Sequence, residues 1–106
     1  MNISDATKLV IEVVSDIQSH SGRQSIALTG KSCPIGDLPG FDSLNGIEVT
    51  TELAYRLGCE FPAGNLLIDE TDNRALSIEE IATRICELAK TKVSTLKLRS
   101  MASVPR

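Results

Sequence analysis

The stretch DLPGFDSLNGIEV, residues 37–49, decides how this chain is read. Pro39 and Gly40 interrupt regular structure, and from Leu44 onward the apolar residues fall on a helical period. Asp42 is the natural N-cap of that helix, because its carboxylate accepts the unpaired N–H groups of a first turn. A serine at a helix start usually performs that task itself. With Asp42 in place, the Ser43 hydroxyl is released from capping and becomes a candidate attachment point.

Working outward, Leu44, Ile47, Thr51, Ala54 and Gly58 follow one row of this helix, while Ile47, Val49, Leu53 and Leu57 supply its large buried groups. Gly46 weakens the helix by roughly 1 kcal/mol relative to Ala, and Gly58 marks its end. CEFPAG, residues 59–64, reads as a turn. NLLIDETDNRAL, residues 65–76, is expected to be largely loop with a short helical turn around Leu66 to Ile68. Then SIEEIATRICELAKTK, beginning at Ser77, reads as a strong helix: Ser77 and Glu80 form a capping box, and Ile78, Ile81, Ala82, Ile85 and Leu88 or Ala89 form its inner stripe.

Upstream, residues 3–17 read as an amphipathic helix. Ile3, Ala6, Val10, Val13 and Ile17 step by three and four, Leu9 and Val14 widen the stripe, Ser4 or Asp5 is the expected cap, and Ser21-Gly22 the stop. Residues 18–41 show no sustained period but include Ile26, Leu28, Ile35, Leu38 and Phe41, so this long connection is expected to pack onto the body. The elements add up to an all-α fold, a small antiparallel bundle of three to four helices with a long first loop.

A chain of 106 residues is ordinarily one domain. Its only aromatic residues are Phe41, Tyr55 and Phe61, so the core is aliphatic. Cys33, Cys59 and Cys86 are scattered without a C-x-x-C pair, which fits a reducing cytoplasm better than a disulfide framework, and each is expected to serve as a small apolar group. The start MNISDATKLV has no basic n-region, and no apolar run is long enough for a membrane span. Charge divides the chain: residues 1–89 hold 14 acids against 6 bases, whereas residues 90–106 hold 5 bases and no acid, giving the net −3. The acidic body argues against nucleic acid and suits basic protein partners. Residues 1–89 are therefore expected to form the domain, and 90–106 a solvated basic tail.

Little in the chain offers catalytic chemistry. TGKS, residues 29–32, lacks the glycine five positions earlier that a phosphate-binding loop needs; that position is Ser25. His20 is the single histidine, too few for a metal site. FDSLN is not a nucleophile elbow, and no base accompanies Ser43. The chain is expected not to be an enzyme, so a reaction at Ser43 has to be driven by another one.

The order helix, long loop, Asp-Ser-Leu, helix, short segment, last helix resembles the acyl carrier protein family over residues 3–89, most specifically in PGFDSLNGIEVTTELAYRLGCEFP, residues 39–62. The resemblance implies that Ser43 carries a covalent 4′-phosphopantetheine arm derived from coenzyme A, whose thiol holds acyl groups as thioesters. It also implies a phosphopantetheinyl transferase and acyl-loading and acyl-processing enzymes as partners of a cytoplasmic monomer. Asp42, Leu44, Asn45, Ile47 and Glu48 are then the expected exposed recognition residues at the start of the second long helix. Asn45, Ala54, Tyr55 and Arg56 stand where the family is usually acidic, Thr51 replaces a large apolar residue, and 63–76 is longer than usual. These departures imply a specialised carrier with dedicated partners in a lipid or secondary-metabolite pathway. The alternative is a helical interaction module of carrier-like shape that is never modified.

Overall fold

The computed structural model describes residues 1–24, 26–61 and 64–89, so the basic tail lies outside the described residues. The first helix, α1 (Ile3–His20), runs three residues past its expected end. Its cap is Asn2 rather than Ser4 or Asp5: the extended backbone at Asn2 lets its side-chain oxygen accept the Asp5 N–H at 2.8 Å. Ala6, Val10, Val13 and Val14 form the buried stripe, Leu9 and Ile17 pack at its margin, and Ile3 stays 47% exposed. Ser21 closes the helix with its hydroxyl on the Ile17 carbonyl, and Gly22 follows with φ +71°.

The long connection is packed, as its apolar residues require. Leu38 and Phe41 are core residues, and Pro34 opens a single distorted turn, α2 (Pro34–Asp37). Fully buried Gln18 ties the connection to α1: its Nε2 donates to the carbonyls of Gln24 at 2.8 Å and Pro39 at 2.7 Å. A buried amide bonded in this way satisfies loop carbonyls that have no secondary-structure partner. The next helix, α3 (Ser43–Leu57), buries Val49 and Leu53 and stops at Gly58, which adopts φ +65°. Arg56 clamps α3 to α1 by bonding Glu12 and Asp16 as well as Glu52, at 2.8 to 3.0 Å.

Between α3 and the last helix, where a short helical turn around Leu66 to Ile68 was expected, Leu66 and Leu67 form a turn without helix and Ile68 enters a strand. A two-residue antiparallel ladder stands there, β1 (Ile68–Asp69) against β2 (Arg74–Ala75), with Ile68 opposite Ala75. Here the backbone groups are answered by side chains, two of them from distant elements and one, Asn65, from the turn itself. The Leu66 N–H donates to the Thr50 hydroxyl at 2.8 Å, the Leu67 N–H to Asn65 Oδ1 at 3.1 Å, and Arg84 Nη1 donates to the carbonyls of both Leu66 and Ile68. Leu66 and Leu67 can thus both be fully buried without helical geometry. The fold is mostly helical, with this small ladder added to the bundle.

The last helix, α4, occupies residues 78–89 of the described chain. Both bonds of its capping box are present: Glu80 N–H to Ser77 Oγ at 3.2 Å, and Ser77 N–H to Glu80 Oε1 at 2.9 Å. Further first-turn amides, Ile78 and Glu79, donate to the carbonyls of Ser32 and Gly30. The TGKS segment is therefore a carbonyl brace for α4, the opposite polarity to a phosphate cradle. Ile78, Ile81 and Ile85 complete the main core, and Ala82 and Cys86 pack on Ala6 in a small second cluster. Among the described residues, no helix is long and apolar enough to cross a membrane.

Candidate site at the start of the third helix

Asp42 caps α3 through Oδ1, which accepts the N–H groups of Leu44 at 3.0 Å and Asn45 at 3.3 Å. Asn45 returns the bond, its Oδ1 accepting the Asp42 N–H at 3.1 Å, so that the box is reciprocal. Ser43 is the first helical residue and is exposed. Among the described residues, neither its hydroxyl nor its N–H has a hydrogen-bond partner; only its carbonyl is held, by Asn65 Nδ2 at 2.9 Å. The main chain at Ser43 is held while its hydroxyl oxygen is unengaged among the described residues.

Five residues were expected to surround Ser43 as exposed recognition groups, and four of them are exposed. Leu44 is 68% and Ile47 46% exposed, and Asp42 and Glu48 also face solvent. Exposure of Ile47 also means that it is not one of the large buried groups of α3. Asn45 departs from the expectation, being only 7% exposed. Its Oδ1 is spent on the cap and its Nδ2 on Glu48 Oε1 at 2.8 Å, so it positions Asp42 and Glu48 and offers nothing to a partner.

Gly46 is part of the same construction. A Cβ there would lie 2.5 Å from Asn65 Oδ1, so the glycine that weakens the helix admits the side chain that holds Ser43. One turn on, the Thr50 hydroxyl donates to the Gly46 carbonyl and accepts from Leu66 N–H, both at 2.8 Å. Asn65, Thr50 and Arg84 escaped the reading of the sequence. The one local trace of them was a glycine inside an otherwise sound helix.

Beside this helix start lies a groove of about 440 Å³ between α3 and the following chain, lined by Ile47, Thr50, Thr51, Ala54, Phe61 and neighbours. The hydroxyls of Thr50 and Thr51 bond back to the carbonyls of Gly46 and Ile47. Their methyl groups are what remain for contact, so the groove is more apolar than its sequence. A second cleft of about 500 Å³, between the ladder and α4, is bordered by Asp69, Arg74, Glu80 and Arg84. It is an ion-paired surface: Arg74 meets Glu80 in a two-pronged bond at 2.8 and 3.2 Å, holding the Glu80 carboxyl down to about 2 and raising the Arg74 guanidinium. Ser43 takes no part in it.

Nothing described around Ser43 activates it. Oδ1 of Asp42 is occupied by two amides, and the His20 ring is bound to the Asp16 carbonyl at 2.7 Å. The Cys33 thiol is pushed up by burial and by Asp37, away from the reactive thiolate. Among the described residues, no cluster of His, Cys, Asp and Glu is suited to a metal ion. Compared with protein-family models, curated proteins and solved structures, the chain finds no match.

Proposed function

We propose that this chain is a carrier protein whose Ser43 accepts 4′-phosphopantetheine from coenzyme A, and that it delivers acyl or aminoacyl groups to partner enzymes in the cytoplasm. The observation that carries the reading is the exposed, unengaged hydroxyl of Ser43 beside an Asp42 that already performs the cap. Esterification of that oxygen costs the helix none of its bonds. The free N–H of Ser43 and the positive end of α3 favour a phosphodiester there by roughly 0.3–1 kcal/mol. In the transfer, Ser43 Oγ bonds the pantetheine-bearing phosphorus, the pyrophosphate bond breaks, adenosine 3′,5′-bisphosphate leaves, and the hydroxyl proton passes to a base of the transferase.

The attached arm supplies a thiol for thioester chemistry, while the residues of this chain hold and present it. Asn65 and the Asp42–Asn45 box fix the backbone at the attachment point. Leu44 and Ile47 offer apolar contact to an approaching partner, and Asp42 and Glu48 offer carboxylates to its bases. Partners are the phosphopantetheinyl transferase and acyl-loading and acyl-processing enzymes dedicated to one pathway.

Intact mass after incubation with coenzyme A, Mg²⁺ and a broad-specificity transferase tests this reading. One added phosphopantetheine is expected, and none on Ser43→Ala, whose circular dichroism stays helical. An unchanged mass with active transferase would favour the unmodified interaction module. Modification mapped to Ser32 or Ser77 would refute Ser43.

A further inference from the structure

We infer that the cleft between the ladder and α4 binds a small zwitterion, an amino acid whose carboxylate meets Arg84 and whose ammonium group meets Asp69 and Glu70. The inference is independent of the reading of Ser43, which does not line this cleft.

Arg84 is half-buried on α4, and its Nη1 donates to the main-chain carbonyls of Leu66 at 3.1 Å and Ile68 at 3.0 Å. These bonds fix the guanidinium but leave its charge unanswered. Among the described residues no carboxylate stands within ion-pair distance of Arg84, and its Nε and Nη2 have no acceptor. A cation partly withdrawn from water ordinarily gains an opposite charge in return. The Nε–Nη2 edge is also the fork that grips a carboxylate through two parallel hydrogen bonds, so the group is anchored on one side and unused on the other.

The ladder side carries the reverse imbalance. Arg74, the base on that side, is already answered by Glu80 at 2.8 Å and by Asp72 at 3.8 Å. Asp69 and Glu70 hold no ion pair among the described residues. Asp69 Oδ1 accepts the N–H groups of Thr71 and Asp72, which pins its carboxylate and leaves Oδ2 open, while Glu70 is exposed without a bond. The lining thus joins an uncompensated cation from α4 to uncompensated carboxylates from the ladder, and Leu76, a core residue, adds apolar surface.

That charge pattern selects the ligand. A simple anion gains Arg84 but meets repulsion from Asp69 and Glu70, and a simple amine meets the opposite conflict. A molecule carrying both charges is favoured at both. The volume of about 500 Å³ lies within the roughly 300–1,000 Å³ of small-molecule sites and leaves room for an amino-acid side chain against Leu76.

Titration of the full chain with L-alanine, L-leucine and γ-aminobutyrate tests the site, read from the amide shifts of residues 69–76 and 80–84. Propionate and propylamine are the singly charged probes. At least one zwitterion is expected to shift these amides saturably, and neither singly charged probe is expected to saturate over the same concentrations. Rising salt should weaken the binding, because the rim charges are screened. Arg84 also holds two backbone carbonyls, so its replacement can unfold the segment, and the ladder side supplies the variants instead. Glu70→Gln should weaken zwitterion binding by about two- to fivefold, as loss of one exposed charge pair does. Glu70→Lys should reverse the preference toward propionate, and both variants should keep the parent's unfolding midpoint. Absence of a saturable shift with every zwitterion overturns the proposal. Propionate binding as tight as the zwitterions overturns it too, by reducing the cleft to an anion site, and so do affinities untouched by both Glu70 variants.

Discussion

Replacing Thr50 by Val removes one oxygen from the interior at almost constant shape. Thr50 is 6% exposed and Leu66 is fully buried. The Thr50 hydroxyl accepts the Leu66 N–H at 2.8 Å, and no other acceptor among the described residues serves that amide. In the Val variant the Gly46 carbonyl keeps its helical partner, but the Leu66 N–H is left buried and unpaired. Such an orphaned donor costs about 1–3 kcal/mol. For a domain of this size each 1 kcal/mol lowers Tm by about 4–8 °C, so a drop of about 5–20 °C is expected. Thr50→Ser keeps the oxygen and loses a methyl, costing about 0.8 kcal/mol, and separates the hydrogen bond from packing. Hydrogen exchange supplies the local assay: the Leu66 amide should exchange faster in Thr50→Val relative to its neighbours. If Thr50→Val is as stable as the parent and Leu66 exchange is unchanged, Thr50 is not the brace of the 65–67 turn.

Four further outcomes follow from the same structure. Leu53→Ala, at a fully buried site, should destabilise by about 2–5 kcal/mol in denaturant titration, and an unmoved midpoint would mean that α3 faces the other way. Gly46→Ala should destabilise by roughly 1–2 kcal/mol despite the better helix former, because displacing Asn65 orphans the Leu67 N–H; a gain of stability would refute the close approach. Glu80 is held down to about 2 by Arg74 and by the Ser77 N–H, so its contribution is complete above its ordinary value of 4.5 and is lost as pH falls through about 2. Glu80→Gln should accordingly flatten the acid limb of stability between these values, and an identical acid profile would argue against the pair. Glu48→Lys should slow Ser43 modification most at low salt, whereas Ile47→Asp should slow it at every salt concentration; wild-type rates for both, with transferase limiting, would exclude this face as the docking surface.

What was legible in the sequence was local. Helical period marked the buried stripes of α1, α3 and α4, since 3.6 residues per turn places Val10, Val13 and Val14, or Ile78, Ile81 and Ile85, on one side whatever lies opposite. Caps were legible for the same reason: Asp42 with its first-turn amides, and Ser77 with Glu80, interact within three residues. The exposed setting of Ser43 followed from its place after such a cap. Where the end of a helix depended on one residue more or less, as at Asn2 and His20, local signals were shared by several candidates and gave the boundary only approximately.

Tertiary structure decided whatever depends on partners distant in the chain. The 65–76 segment is a buried turn and ladder, because Thr50 and Arg84 answer its amide and carbonyls from other elements while Asn65 answers the Leu67 amide from within it. The burial of Asn45 was likewise undecidable from its neighbours: as a polar residue near an exposed serine it looks like a contact group, until the reciprocal bonds with Asp42 and Glu48 consume both ends of its amide. Gly46 is the clearest case. Its local effect is unfavourable, and only the arrival of Asn65 from 19 residues away makes the missing side chain a requirement. Hydrogen-bonding valence is a property of a residue type, but which groups satisfy it in the interior is set by packing.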